Sequence, residues 1–295
     1  MIQIIQVDAF TERPFAGNPA AVVLDAHGLS DAQMQSIASE MRVAGTAFLM
    51  PAGRPDCQWR LRWFTPTREI AYSGHTTLSA VHALLEAGHL RGDHAVFDTL
   101  SGPLKVSVVA GQSRRLIWLE PKVPELQPFM GQLAHVREAL GLSAAAGWAP
   151  AVTTPDHDLL VPAPGLDLLT SLRPNLQALS DVAMHAGLRG VCLVSREARD
   201  ADSATHSRFF APHFGIPEDI VTGSVHSSIG VWLFKAGLLH ADGALIAFTA
   251  EQGDSLGRPG RLQVELQLQD GAVARVRVGG TAVTVLEGSM AVPDA

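Results

Sequence analysis

R-W-F-T-P at residues 62–66, followed by G-H-T-T-L-S-A-V-H-A-L-L-E-A-G at residues 74–88, is the stretch that decides how this 295-residue chain is read, because it occurs twice. The second copy is R-F-F-A-P at 208–212 with G-S-V-H-S-S-I-G-V-W-L-F-K-A-G at 223–237. Gly74 to Gly88 and Gly223 to Gly237 are both steps of fourteen positions. Pro66 to Gly74 is a step of eight and Pro212 to Gly223 one of eleven, so the pattern is an internal duplication with one three-residue insertion.

Each copy has the grammar of a strand, a loop and a helix. An apolar aromatic pair running into proline ends a strand, since proline carries no N–H and restricts the residue before it. An apolar run that closes on Ala-Gly is a helix with its C-cap. Ser73-Gly74-His75-Thr76 and Thr222-Gly223-Ser224 then stand where the unpaired N–H groups of a helix start gather. Such a start attracts anions through its free donors and its dipole. Two of them related by duplication are expected to face one another across a cleft and hold a carboxylate or an enolate-like oxyanion. The anion donors expected are Gly74, Thr76, Thr222, Gly223 and Ser224, although the hydroxyls among them could equally cap their helices.

The length suits two domains, and the duplication makes them related halves, 1–120 and 121–295, joined at the proline-punctuated E-P-K-V-P of residues 120–124. No apolar run is long enough for a membrane span. The start, M-I-Q-I-I-Q-V-D-A-F, alternates like a strand and lacks a basic segment, so a cytoplasmic location is expected. A net charge of -7 argues against a nucleic-acid partner but says little about a small anion. Cys57 and Cys192 form no CxxC pair and are read as buried structural thiols, which supports neither a disulfide framework nor a metal centre.

Strands are expected at residues 2–10, 20–24, 46–50, 94–99, 104–109 and 115–119, near Leu159 and Val191, and at 261–269, 274–278 and 282–287. Helices are expected at 30–41 with Ser30 as N-cap, at 130–142 and at 176–186, and a Gly/Ala/Pro-rich loop runs on to Pro150. G-N-P-A-A-V-V at 17–23 and G-G-T-A-V-T-V at 279–285 share a turn-then-strand shape. If they are equivalent, the second half is circularly shifted and the last strand could pack beside the first domain. Residues 78–85 and 229–234 are apolar on nearly every side, as an enclosed helix requires. The fold expected is α+β: two pseudo-symmetric domains, each a curved, mostly antiparallel sheet wrapped around a central helix.

Residues 8–23 (D-A-F-T-E-R-P-F-A-G-N-P-A-A-V-V), 62–78, 208–212, 218–226 (E-D-I-V-T-G-S-V-H) and 279–283, taken in order, resemble the PhzF family of phenazine-biosynthesis-type isomerases. The resemblance covers essentially the whole chain. It implies the diaminopimelate-epimerase-like fold, a site in the cleft between the domains, a homodimer, and no metal or organic cofactor. In members that isomerise dihydroxyanthranilate-type substrates, a glutamate before the strand T-A-F moves the proton. The matching position here is Gly45, in V-A-G-T-A-F, and glycine cannot accept a proton. The family's histidine matches His75, its aspartate Asp219, with Ile220 in place of the usual proline, and its G-N-P asparagine Asn18. Epimerase and racemase relatives carry a cysteine pair where Ser73 and Thr222 stand, so two-thiol racemisation is excluded.

His75 can give or take a proton near neutral pH, and is the leading catalytic candidate; otherwise it is a hydrogen-bonded structural histidine. Asp219 either orients a substrate or acts as base, or else caps a loop. Asn18 is a substrate ligand or a turn residue. Glu40, at the end of the preceding helix and read as solvated surface, and Glu69, in the loop before Ser73, are the other acids weighed for the vacancy at Gly45, although neither stands at the matching position; Tyr72 is a substrate contact or a packing residue. The expected activity is a cofactor-independent, proton-transferring isomerase acting on a small carboxylate-bearing metabolite, with cyclisation or elimination open because Gly45 replaces the acid. The alternative is a non-catalytic protein that binds a small anion on the same scaffold.

Overall fold

Alternation along residues 18–23 and 45–49 places one set of side chains on each side of a sheet, and nearly all of both sets are buried. The computed structural model describes residues 1–111, 114–142, 148–240 and 243–292. Part of the loop expected before Pro150, residues 143–147, lies outside the described residues. The chain divides into two units, Met1–Pro121 with Val278–Ala295, and Lys122–Arg277.

The first unit contains β1 (Ile2–Ala9), β2 (Asn18–Val23), α1 (Asp31–Met41), β3 (Gly45–Pro51), β4 (Trp59–Phe64), β5 (Glu69–Ile70), α2 (Gly74–Glu86), β6 (His94–Thr99), β7 (Gly102–Ala110) and β8 (Arg115–Leu119). β2 runs parallel to β3 across α1, and β4 parallel to β6 across α2. The pairs β1–β2, β3–β4, β4–β5, β6–β7 and β7–β8 are antiparallel. The last strand of the chain, Ala282–Met290, pairs antiparallel with β1, and Val278 to Gly280 pair with β8. Ile4, Ala21, Phe48 and Phe64 meet Met34 and Ile37 of α1 on one face. Nine residues of α2 are buried, including Thr76, Thr77, Leu78, Val81 and Leu84. A helix buried on so many sides is held by its surroundings rather than by propensity; each enclosed Leu or Val contributes about 1.5–3 kcal/mol.

The second unit contains β9 (Gln127–Pro128), α3 (Leu133–Leu140), β10 (Val152–Thr153), β11 (Asp158–Pro162), α4 (Leu166–Ser171), α5 (Leu176–His185), β12 (Gly190–Ser195), β13 (Ser203–Ala211), β14 (Ile216–Asp219), α6 (Gly223–Lys235), β15 (Leu245–Gln252), β16 (Gly260–Gln269) and β17 (Ala272–Gly280). Its pairing repeats the first unit. β11 is parallel to β12 across α4 and α5, β13 is parallel to β15 across α6, and β12–β13, β13–β14 and β15–β16 are antiparallel. Leu160, Cys192 and Phe209 pack on Val225, Ile229 and Trp232 of α6, while Leu159, Leu193 and Phe210 turn to the opposite face with α3 and α5. The architecture is therefore α+β, with a mostly antiparallel sheet around one central helix in each unit.

The duplicated stretch carries its own evidence of equivalence. Arg62 pairs through two bonds with Glu69 (2.6 and 2.7 Å) and lies over the Phe64 ring. Arg208 pairs likewise with Glu218 (2.8 and 2.8 Å) and lies over Phe210. The first pair is seven residues apart and the second ten, so the three-residue insertion falls inside the second loop, where Pro212–Phe214 forms one 3-10 turn.

Four expectations change. The strand matching β2 is β11, not residues 279–285, because β11 shares with β2 a parallel partner across a helix and heads the same order of pairings, whereas residues 279–285 pair antiparallel with β8 and β1. The helix expected at 130–142 is shorter, Leu133–Leu140, with Met130 fully exposed and Gly141 in the left-handed conformation that ends it. Asn18 is not a turn residue but the first residue of β2; the turn belongs to Gly17, at φ 61°, where a Cβ would come 2.1 Å from the Ala9 carbonyl oxygen. Cys192 is buried, as expected, whereas Cys57 is only half-buried in the loop before β4.

Candidate functional site

Two of the helix starts in this protein are capped conventionally. Ser30 accepts from Gln33 N–H in a full capping box, and Asn175 accepts from Ala178 N–H. The duplicated starts differ: neither Ser73 nor Thr222, the N-cap residues of α2 and α6, caps its own helix with its side chain. Their hydroxyls turn to other side chains instead, so the hydroxyl-capping role open in the sequence is not the one adopted.

At the start of α2, Ser73 Oγ lies 2.7 Å from Thr76 Oγ1, and either can donate. The imidazole of His75 sits against both, with Nε2 3.1 Å from Thr76 Oγ1 and Nδ1 3.5 Å from Ser73 Oγ. Thr77 Oγ1 donates to the Ser73 carbonyl (2.6 Å) and locks the first turn from behind. His75 is half-buried and Gly74 buried. Gly45, at the head of β3, faces this group: a Cβ there would come 2.4 Å from Thr76 Oγ1 and 3.5 Å from His75 Nε2. The space beside Gly45 is thus filled by a threonine hydroxyl. Asn18 is fully buried and shares the face of Ala20, which pairs with Gly45, so it stands on the α2 side of the sheet.

Glu69 and the phenol near this start have structural partners, and Glu40 is solvated. Glu69 is held by Arg62, and Glu40 is exposed near the end of α1. Tyr72 meets the buried Trp63 ring edge to face, with centroids 5.9 Å apart. None of the three sits at Gly45.

At the start of α6, Asp219 closes β14, and its Oδ2 accepts from Thr222 Oγ1 at 2.6 Å. Thr222 N–H donates to Gln252 Oε1 (3.1 Å). Both donors of Thr222 are therefore committed within the protein, which corrects its expected role as an anion donor and leaves that role to Gly223 and Ser224. His226 Nδ1 lies 2.8 Å from the Thr222 carbonyl, the counterpart of Thr77 on Ser73. Burial depresses this imidazole to about 4, so it is neutral near pH 7 and donates from Nδ1, while Nε2 lies 3.3 Å from Ser207 Oγ.

A further residue, Arg189, reaches this start without any signal in the sequence. It stands between α5 and β12, paired through Nε and Nη2 with the buried carboxylate of Asp158, above the ring of Phe209, and with Nη2 3.4 Å from Ser224 Oγ. It brings a positive charge to the helix start that already favours anions. Nothing near Arg189 in the chain marks it: it lies 35 residues from Ser224 and in no motif.

Chemically, the α2 start offers an imidazole on a reversible hydroxyl pair, and the α6 start a carboxylate beside amides and a guanidinium. No thiol stands at either, and burial raises Cys192 well above the usual thiol range. A fold of two duplicated halves, each a sheet around one helix, is the diaminopimelate-epimerase and proline-racemase type. A probable proline racemase from Agrobacterium radiobacter K84 shares that fold alone, with a TM-score of 0.60 at 15% identity over 99% of this chain and 94% of that one. The chain belongs to the family described as phenazine biosynthesis-like protein, PhzC-PhzF, whose model matches residues 7–288. It is similar to the uncharacterized isomerase YddE of Salmonella typhimurium, at 35% identity over 98% of each chain. The crystal structure of a PhzF-family phenazine biosynthesis protein from Bacillus anthracis is similar at a TM-score of 0.88 and 27% identity, over 97% of this chain and 98% of that one. An isomerase-type activity is what these relationships support.

Proposed function

We propose that this protein is an isomerase that moves a proton on a small carboxylate-bearing metabolite, without a cofactor, and that the side chains at its duplicated helix starts supply the chemistry. His75 gives and takes the proton. Its partners Ser73 and Thr76 can each donate or accept, which lets the imidazole exchange its proton without a buried charge being left unpaired. Gly223, Ser224 and Arg189 hold the substrate carboxylate, Gly74 lends its amide, and Asn18 and Asp219 orient the rest. What carries the reading is the pair of N-cap hydroxyls bonded to side chains rather than to helix N–H groups at the two duplicated starts, when the capped starts at Ser30 and Asn175 show the ordinary arrangement.

Because Thr76 Oγ1 occupies the space beside Gly45, the proton is routed through the His75 group rather than a carboxylate at that position. Gly45 also favours the second reading, an anion-binding protein without catalysis. Incubating the protein in D2O with a panel of small cyclic and acyclic carboxylates, followed by 1H NMR, separates the two. Exchange of a carbon-bound proton that falls about 10²-fold or more in His75→Ala supports the isomerase. Binding of the same carboxylates with no exchange by the unmutated protein supports the binder. The homodimer implied by the family and the cytoplasmic location expected from the sequence stay part of the proposal, and sedimentation of the purified chain checks the first.

A further inference from the structure

Gln252, the last residue of β15, is fully buried and touches the α6 start through every arm of its amide. Oε1 accepts from Thr222 N–H (3.1 Å), and Nε2 donates to the Asp219 carbonyl (2.9 Å) and to Thr222 Oγ1 (3.2 Å). Ser207 Oγ lies 3.5 Å from the same Oε1. A backbone N–H can only donate and a backbone carbonyl can only accept, so these two groups fix which end of the amide is oxygen. The remaining N–H of Nε2 then points into Thr222 Oγ1. That hydroxyl has a single proton, and Asp219 Oδ2 lies 2.6 Å away to receive it. The order of protons runs from amide to hydroxyl and from hydroxyl to carboxylate, with no freedom to reverse.

We propose that Gln252 is the positioning residue of the second helix start: by fixing the Thr222 hydroxyl it aims and immobilises the Asp219 carboxylate for the substrate. This rests on the reading of Asp219 as a site residue. The first unit has no counterpart. Continuing the β4–β6 register, in which Arg60 pairs with Asp98, puts Thr99 where β13–β15 puts Gln252, and the Thr99 hydroxyl donates to the Gly102 carbonyl instead (2.6 Å). There the equivalent of Thr222 is Ser73, whose bond to Thr76 can run either way.

The test uses the full chain labelled with 13C at aspartate Cγ, the Asp219 resonance being the one lost in Asp219→Asn. Gln252→Glu keeps an oxygen for Thr222 N–H and removes the donor; Thr222→Val removes the hydroxyl. Each single change is expected to shift the Asp219 resonance, and Gln252→Glu added to Thr222→Val to shift it by less than about half as much, since the two act on one chain of bonds. With a carboxylate found active in the exchange panel, Gln252→Glu is expected to lower kcat about tenfold and leave KM within about twofold. An unmoved resonance in Gln252→Glu, or equal shifts with and without the Thr222 hydroxyl, overturns the proposal. Should Gln252→Glu fail to fold, the unmutated chain decides: side-chain amide protons of Gln252 that exchange with water as fast as those of the exposed Gln127 also overturn it. Intact coupling alongside full exchange activity in Asp219→Asn overturns the place of Asp219 in the reaction instead, so the two failures are distinguishable.

Discussion

The starts of α2 and α6 sit on the same frame and do different chemistry. Both are preceded by an arginine that grips a glutamate and covers a phenylalanine ring, and both have a side chain four residues into the helix bonded to the N-cap carbonyl. On that shared frame α2 carries an imidazole and two hydroxyls that can reverse their bonds, whereas α6 carries a carboxylate, a guanidinium and a hydroxyl of fixed direction. In the proposed function the first start passes a proton and the second holds a charged group still. Duplication supplied the scaffold twice, and the residues at equivalent places then diverged: His75 stands opposite Ser224 and Thr77 opposite His226 in the alignment.

The comparison can be broken first at its frame. Arg208 and Glu218 are both almost buried, so Arg208→Met is expected to cost about 3–5 kcal/mol of stability in urea unfolding by leaving Glu218 uncompensated. Arg62 holds a more exposed glutamate and the fully solvated Asp31, so Arg62→Met should cost less, about 2–3 kcal/mol. Equal costs would mean the two clamps are not graded by burial.

His226 and Thr77 make the same bond, but only His226 titrates. Its folded value of about 4 lies below that of a free imidazole at 6.5. Between those values the unfolded chain binds the extra proton, so stability is complete above about pH 6.5 and falls as the solution is acidified towards pH 4. The loss is about 3 kcal/mol. His226→Thr, which copies the first start, is expected to flatten that part of the curve in denaturant melts taken at several pH values. An unchanged slope would place the acid sensitivity elsewhere.

His75→Ala is expected to reduce proton exchange about 10²-fold while leaving the melting temperature nearly unchanged, since the ring is half-buried. The smallest effect expected is at Gly45. Its added Cβ must displace Thr76 Oγ1, so Gly45→Ala should cost about 1–2 kcal/mol, and Thr76→Ala in the same chain should recover most of it. If Gly45→Ala is neutral in calorimetry, the threonine is not filling that space.

Much of this was legible in the sequence because it is carried by spacing. The repeated glycines gave the duplication, Ser30 and Gln33 gave a helix start, and the aromatic pairs before Pro66 and Pro212 gave the strand ends of β4 and β13. What was hidden is carried by pairing across distance. β11 matches β2 only in its hydrogen-bonding partners, since D-L-L-V-P and N-P-A-A-V-V share no motif. Arg189 and Gln252 reach the α6 start from 35 and 30 residues away, through folding alone. The direction of a hydroxyl proton at Ser73 or Thr222 has no trace in composition, because the same residue types at an N-cap usually face their own helix.

The second loop, longer by three residues, contains a single turn, Pro212–Phe214, capped by Gly215, with the Phe214 ring left partly in solvent beside His213. Arg208 and Glu218 still meet across it. A segment that lengthens while its two anchors stay gripped is a natural graft point, where a fluorophore-bearing or epitope peptide could be spliced in to report on α6 without unseating it.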